Sequence, residues 1–323
     1  MTNLALKPRA FETVLFIDGI SRSGKKLTCR ILSNMNNVDY FLYRSVFEKI
    51  CYLNKIGAVS ESVATSLFQL VVEEAIYYRA IGRDLNARPS DQTSILNAVD
   101  KEIYLNRSLL GDGMEAVDRF NKAGRIAAIH VHHVMPTAPI LFMAYPQLTL
   151  VHVMRHPIDL AVEWLRRGWG SRMGTDPLAF ALLVDVESKP VPWFAQDWAD
   201  QFIGMSEAER CIESVLWLQE ANEQGYQRLS EDQKSRVYRF PFEHLVTQTS
   251  RIITDFSQLL STQPHESMPE LLGEEQCPRT LSIEDQRVGL RVLESNASEE
   301  VIAHLKAASI AYENYWNMEQ LVT

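Results

Sequence analysis

The stretch Val14-Leu-Phe-Ile-Asp-Gly-Ile-Ser-Arg-Ser-Gly-Lys-Lys-Leu27 decides the fold. Its apolar residues Val14 to Ile17 predict a strand, and a helical run follows from Lys26 to about Asn34. Between them lies a loop with Gly19, Ser21, Arg22, Ser23 and Gly24. A strand, a glycine-bearing loop and a helix N-terminus make an anion cradle, because main-chain N–H groups point into the turn and the helix dipole adds positive potential. Arg22, Lys25 and Lys26 add fixed charge. The spacing Gly19-x-x-x-x-Gly24-Lys25 matches the start of a nucleotide P-loop, but Lys26 stands where that motif supplies a hydroxyl to magnesium. The loop is therefore expected to hold a phosphate without a metal; an ordinary turn before a helix is the plainer alternative.

Working outward, further buried-strand candidates are short and separated by helical patterns: Ile126–Val131, Thr149–Met154 and Arg236–Phe240. Pro136 and Pro157 sit where a proline opens a helix. Alternation of strands and helices predicts an α/β fold of P-loop type, three layers with a central parallel sheet and helices on both faces. Ligands on such sheets gather at the carboxyl ends of the strands, where the Gly19 loop falls. Residues 40–121 read as helical, with no strong strand, and predict an insertion forming one wall of the site. Further helices are expected over 206–229, with Ser206 and Glu209 as a capping box, over 242–260, and over 298–318 with Ser298 as cap. One domain spanning 1–323 is the simplest organisation, since no linker-like composition divides the chain.

The 323 residues are 46% hydrophobic and 23% charged, with a formal net charge of −9. That balance argues against a general binder of nucleic acid or membrane surfaces, and suits a small anionic ligand held in a local basic pocket. Cys29, Cys51, Cys211 and Cys277 form no CxxC pair, so neither a zinc site nor a disulfide framework is expected. The N-terminal residues lack the apolar core of a signal peptide and no apolar run has the length of a membrane span, so a cytoplasmic location is expected.

A second informative stretch is Leu150-Val-His-Val-Met-Arg-His-Pro-Ile-Asp-Leu-Ala-Val-Glu-Trp164. A strand ends at Arg155, Pro157 starts a helix and Asp159 lies in its first turn. Arg155 should emerge at the carboxyl edge of the sheet beside the Gly19 loop, unless its role is only a salt bridge to Asp159.

These stretches resemble the sulfotransferases that use 3′-phosphoadenosine 5′-phosphosulfate (PAPS). Gly19-Ile-Ser-Arg-Ser-Gly-Lys-Lys-Leu27 is similar to their 5′-phosphosulfate loop, G-x-x-R/K-S-G-T/S-T/S-L/W. Arg155-His-Pro-Ile-Asp-Leu-Ala-Val is similar to their 3′-phosphate motif, R-x-P-x-D-x-x-x-S, and Tyr238-Arg-Phe-Pro-Phe-Glu-His-Leu-Val246 to their Y-E-x-L strand and helix. The resemblance spans roughly residues 13–260. It implies sulfuryl transfer from PAPS to a hydroxyl of a small-molecule or carbohydrate acceptor, with adenosine 3′,5′-bisphosphate as product and no metal. It assigns nucleotide contacts to Gly19, Ser21, Arg22, Ser23, Gly24, Lys25, Lys26, Leu27 and Arg155, to the position of Glu163, and loosely to Arg279 in Cys277-Pro-Arg-Thr-Leu281. Two departures stand out. Lys25 and Lys26 replace the paired hydroxyls, and Glu163 replaces the motif serine, where its carboxylate would repel a 3′-phosphate unless turned away or paired with Arg166 or Arg167.

Sulfuryl transfer needs a base for the acceptor hydroxyl and cations for the sulfonate and leaving phosphate. In Ile129-His-Val-His-His-Val134, His132 and His133 are the base candidates, with Lys25 as the charge-stabilising partner. His130 alternates onto the face of His132; His156 is placed near the site and His152 inside the sheet. Packing-only histidines and a metal-binding His-x-His-His are the bland readings. Trp164, Trp169, Trp193 and Trp198 are read as core or as an apolar acceptor wall. Two rival functions are a sulfotransferase-fold binding protein without turnover, and a P-loop nucleotide kinase. The acceptor and the oligomeric state are left open.

Overall fold

Alternation at period two sorts the central strands onto two cores. The computed structural model describes residues 4–321. Along β1 (Val14–Gly19), Val14 and Phe16 enter one core while Leu15 and Ile17 enter the other. After helix α1 (Lys25–Leu32) come the two-residue strand β2 (Leu42–Tyr43) and helices α2 (Ser45–Lys55), α3 (Glu61–Ala80), α4 (Lys101–Arg107) and α5 (Gly113–Lys122). Then follow β3 (Ala127–His130), α6 (Ala138–Ala144), β4 (Thr149–Met154) and α7 (Pro157–Leu165). A small antiparallel hairpin, β5 (Leu183–Val186) and β6 (Lys189–Pro192), precedes the long helix Glu207–Gln227 and strand β7 (Val237–Pro241).

The sheet has the order β2-β3-β1-β4-β7, every pairing parallel. Ile17 is paired with His130 and Gly19 with Val153, so the ends of β1, β3 and β4 reach one edge together. The chain leaves β1 to one side and, after β3, crosses it to reach β4. That reversal opens a crevice beside β1, directly above the Gly19 loop. Helices α2, α3, α6 and Glu207–Gln227 cover one face through Phe47, Phe68, Leu141 and Val215. Helix α1 and helix Thr249–Leu260 cover the other through Cys29, Ile31 and Phe256. A third cluster packs α7 against helices Ile283–Glu294 and Glu299–Trp316 through Ile158, Leu293 and Leu305. Each fully buried side chain of this size contributes about 1.5–3 kcal/mol, which makes this a three-layer α/β fold held from both faces.

Several local expectations are corrected. The segment 40–121 contains β2, too short for a periodicity signal but paired with Ile129 and His130. Pro136 opens a 3-10 turn rather than the helix; Pro139 lies in the first turn of α6. The 242–260 segment is two helices, Phe242–Thr247 and Thr249–Leu260, broken at Gln248. The capping box of Ser206 and Glu209 is present. Ser298 occupies the cap of the last helix, but its side chain makes no capping bond; its N–H donates instead to Glu209 Oε1 at 3.0 Å.

Candidate functional site

The loop between β1 and α1 is shaped by what it packs against. Gly24 has φ +98° and a Cβ there would lie 2.1 Å from Phe242 Cδ2. At Gly19, φ +151°, a Cβ would meet the Val153 carbonyl at 2.3 Å. Only glycine fits either position. The loop carbonyls are turned into protein. Gly19 O accepts from Lys25 Nζ and from the His133 N–H at 3.3 Å, Ser21 O from Trp164 Nε1 at 2.9 Å, and Arg22 O from Arg155 Nη1 at 2.8 Å. Among the described residues, the N–H groups of Gly24, Lys25 and Lys26 have no acceptor, and the buried Ser23 hydroxyl has no partner. Donors without acceptors, at a helix N-terminus beside three cations, are what an oxyanion needs.

On the β4 side, Arg155 stands beside the loop as the strand order requires. It lies 3.9 Å from Asp159, so the salt bridge and the loop contact coexist. The Phe242 ring collects two cations, Arg155 at 5.0 Å and Arg279 at 5.8 Å from its centroid. The looser Arg279 assignment thus falls next to the firmer one. Glu163 does not stand alone: its carboxylate reaches Arg167 at 2.8 Å, Arg22 at 3.3 Å and Arg166 at 3.7 Å. Leu27 packs into the core beneath the loop, and Lys26 lies on the exposed side of α1. Two hollows flank Arg155. One, of about 420 Å³, is lined by Arg155, Glu163 and Arg166; the larger, about 630 Å³, by His156, His244 and Arg279. His156 lines that hollow but is buried, its Nε2 3.1 Å from Glu313 Oε1.

On the β3 side the histidines separate. His132 Nδ1 lies 3.0 Å from Glu48 Oε2, and the same oxygen accepts the His132 N–H at 2.9 Å. Tyr43 Oη donates to Glu48 Oε1 at 3.0 Å. His133, held at φ +52°, sets its Nε2 3.2 Å from Ser21 Oγ in the loop. His130 is buried beside Tyr43, and neither ring nitrogen has a partner. His152 lies inside the sheet, 3.1 Å from Asp18 Oδ2. Asp18 also accepts the Val134 and Met135 N–H groups at 3.1 and 3.0 Å, fixing the turn that carries the histidines.

Burial governs the electrostatics here. It pushes Glu48 up to about 7, against the opposing pull of the Tyr43 hydroxyl, Lys25 and the His132 N–H. It brings Lys25 down to about 8, with Asp18 and Glu48 resisting. His130, His132 and His133 are all held well below the ordinary histidine value by burial, with further contributions from Lys25 and neighbouring histidines, so each is neutral at pH 7. Burial also raises Asp18, but the His152 bond and charge and Lys25 outweigh it and leave the carboxyl well below its usual range. A neutral imidazole held at Nδ1 by a carboxylate presents Nε2 as a proton acceptor.

Glu48 and Tyr43 were not legible as site residues. Glu48 lies within a helical run, and nothing local marks it; the one available signal was Asp18, a charge closing an apolar strand. The tryptophans belong to one core cluster: Trp164 and Trp193 are buried, the first donating to the loop and the second stacking on Tyr52 at 4.3 Å, and Trp169 and Trp198 pack against the cluster partly buried. Among the described residues no cluster of three His, Cys, Asp or Glu is arranged to hold a metal, and no helix is long and apolar enough to cross a membrane.

Among solved structures the chain is similar to bacterial sulfotransferases. With STF9 from Mycobacterium avium the identity is 12% over 97% of this chain and 79% of that one, at a TM-score of 0.47. With the sulfotransferase domain from the curacin biosynthetic pathway it is 13% over 85% and 80%, at 0.42. With the Alicyclobacillus acidocaldarius sulfotransferase it is 13% over 94% and 96%, at 0.39. No family model matches the chain, and no curated protein matches it. Likeness this distant assigns no activity, which rests on the residues of the site itself.

Proposed function

We propose that this chain transfers a sulfuryl group from PAPS to a hydroxyl of a small-molecule or carbohydrate acceptor. The observation that carries the reading is one continuous edge. It joins the anion cradle of Gly19–Lys26 to Arg155 and Arg279 on one side and to the Glu48–His132 pair on the other. The free N–H groups of Gly24, Lys25 and Lys26 fit a 5′-phosphosulfate. Arg155, Arg279 and the Phe242 ring fit the remainder of a 3′-phosphorylated nucleotide.

PAPS would supply the activated sulfuryl group; the chain's own residues bind, orient and move the proton. Glu48 fixes the His132 ring through Nδ1, and Nε2 takes the acceptor proton. The acceptor oxygen bonds to sulfur while the bond from sulfur to the 5′-phosphate oxygen breaks. Lys25, Arg22 and the loop N–H groups hold the charge that collects on that phosphate. His133 positions Ser21 rather than facing the acceptor. A second reading, a nucleotide-binding protein without turnover, is favoured by Glu163, which pairs with the loop cation Arg22.

Adenosine 3′,5′-bisphosphate, AMP and ATP with magnesium, compared by thermal shift, test the reading. We expect the bisphosphate to stabilise the protein without metal, by about 2.7 kcal/mol at a hundred times its dissociation constant, with AMP weaker. No shift at millimolar bisphosphate sinks it, and a shift only with ATP and magnesium points to phosphoryl transfer instead.

A further inference from the structure

Two residues make the whole connection between β4, which ends at Met154, and α7, which begins at Pro157. A residue before proline is confined to extended backbone, and His156 obeys with φ −50° and ψ 129°. The remaining freedom lies in the peptide group that joins Arg155 to His156. Its tilt sets the direction in which the Arg155 side chain leaves the sheet.

That one peptide group is gripped at both ends by side chains from two other helices. Its carbonyl, Arg155 O, accepts from Gln219 Nε2 at 3.1 Å, and its N–H, on His156, donates to Glu243 Oε1 at 3.0 Å. Glu243 is itself fixed, since Tyr312 Oη donates to its Oε2 at 2.8 Å. The His156 ring is tied separately to Glu313. His156, Glu243, Tyr312 and Glu313 are all buried, so water does not compete for these bonds.

The grip bears on the site through Arg155. That residue lines the hollow of about 420 Å³ beside the Gly19 loop, with Nη1 on Arg22 O at 2.8 Å and its guanidinium over the Phe242 ring. Phe242 precedes Glu243, so one short helix both fronts the guanidinium and holds the peptide behind it. Gln219 comes from elsewhere, the long helix Glu207–Gln227, where it is half-buried one turn beyond the core residue Val215. An amide packed there costs desolvation unless it is answered, and Arg155 O is its one hydrogen-bond partner among the described residues.

Taking Arg155 to meet the 3′-phosphate of the nucleotide, as the proposed function has it, we infer that Gln219 is a positioning residue. It acts through the Arg155–His156 peptide and holds the guanidinium at the angle from which its planar donors meet a phosphate. A misaimed guanidinium keeps its charge and loses that geometry.

The test is calorimetric titration of the full chain with adenosine 3′,5′-bisphosphate and with AMP, in the wild type, Gln219→Met, Arg155→Met and the double variant. The wild type should bind the bisphosphate more tightly than AMP. Gln219→Met, which keeps the volume and removes the donor, should weaken the bisphosphate about three- to tenfold and leave AMP unchanged. In the Arg155→Met background the same change should have no further effect, whereas damage to the fold alone would weaken both ligands in both backgrounds. Gln219→Asn, whose amide is too short to reach the carbonyl, should match Gln219→Met and decides the matter if that variant does not fold. An unchanged preference for the bisphosphate in the Gln219 variants, an equal loss for AMP, or an equal loss with and without Arg155 overturns the positioning role and leaves the nucleotide reading standing. A wild type that binds bisphosphate and AMP alike overturns the nucleotide reading, and the positioning role with it.

Discussion

The two flanks of the Gly19 loop are built on opposite principles. On the β4 side, Arg155, Glu163, Arg166 and Arg279 are partly open to solvent, and their ion pairs are interchangeable: Glu163 alone has three cationic partners. On the β3 side, Asp18, Lys25 and Glu48 are packed into the interior, and each carboxylate has fixed partners: Asp18 takes the Val134 and Met135 N–H groups, and Glu48 takes the His132 N–H and the Tyr43 hydroxyl. Exposed pairs of the first kind contribute about 0–1 kcal/mol each, whereas breaking a buried pair costs about 3–5 kcal/mol. The comparison teaches where substitution tunes affinity and where it removes structure or turnover.

The strongest attempt to break the comparison is Asp18→Ala. It strands the Val134 and Met135 N–H groups and the His152 ring together, so a loss of about 3–5 kcal/mol is expected in urea denaturation. A loss below about 1 kcal/mol would place the β3 side in the same class as the exposed side.

Next in size is Glu48→Gln, which keeps shape and removes the carboxylate. Turnover should fall about a hundredfold or more with bisphosphate binding retained. In the wild-type chain the rate should rise with pH through about 7, because the proposed mechanism uses ionised Glu48, whose carboxyl burial raises to about 7. Tyr43→Phe removes a bond that favours that ionised form, so the rising limb should move to higher pH. The linkage runs the other way for stability. The folded-state carboxyl binds its proton more tightly than the unfolded one, so stability contributed by protonated Glu48 is present at low pH and is lost as pH rises from 4.5 to about 7. At about 1.4 kcal/mol per pH unit this amounts to roughly 3 kcal/mol, absent from Glu48→Gln and measurable as a pH-dependent difference between the two chains. A flat difference from pH 4.5 to 8 would show that Glu48 is not held in its protonated form.

The smallest effect sharpens the exposed side. A bare carboxylate at position 163 would oppose a 3′-phosphate strongly, but its three cations screen it. Glu163→Ser releases Arg22 and should tighten bisphosphate binding by only about two- to fivefold, as expected for an exposed pair. Weaker binding in this variant would mean that Glu163 positions the arginines for the ligand.

The same division explains what was legible in the sequence. The fold could be read because strand, glycine loop and helix are contiguous in Val14–Leu27, and because Arg155 directly follows the strand that pairs with β1. Arg155 and the loop come together through backbone register alone, so local pattern sufficed. Glu48 comes from a helix whose inward face is chosen by packing in the core shared with Leu42 and Ile129, and β2 has only two residues. No periodicity marks so short a strand, and without it the rotation of α2, and hence which of its charges turns inward, is undetermined. Glu163 was legible as a misfit in its motif but not as the centre of an ion-pair cluster, because Arg22 lies 141 positions away in sequence.

The anchored carbonyls of the loop have a consequence for time rather than for energy. Trp164, Arg155, Lys25 and His133 hold the carbonyls of Gly19, Ser21 and Arg22 from four directions, so the receptacle is complete before anything arrives. Association then needs no rearrangement, and its rate is set by diffusion and by the local positive field within an otherwise acidic protein. Raising ionic strength should accordingly slow arrival of an anionic nucleotide far more than it changes departure, and stopped-flow traces at a series of salt concentrations would separate the two.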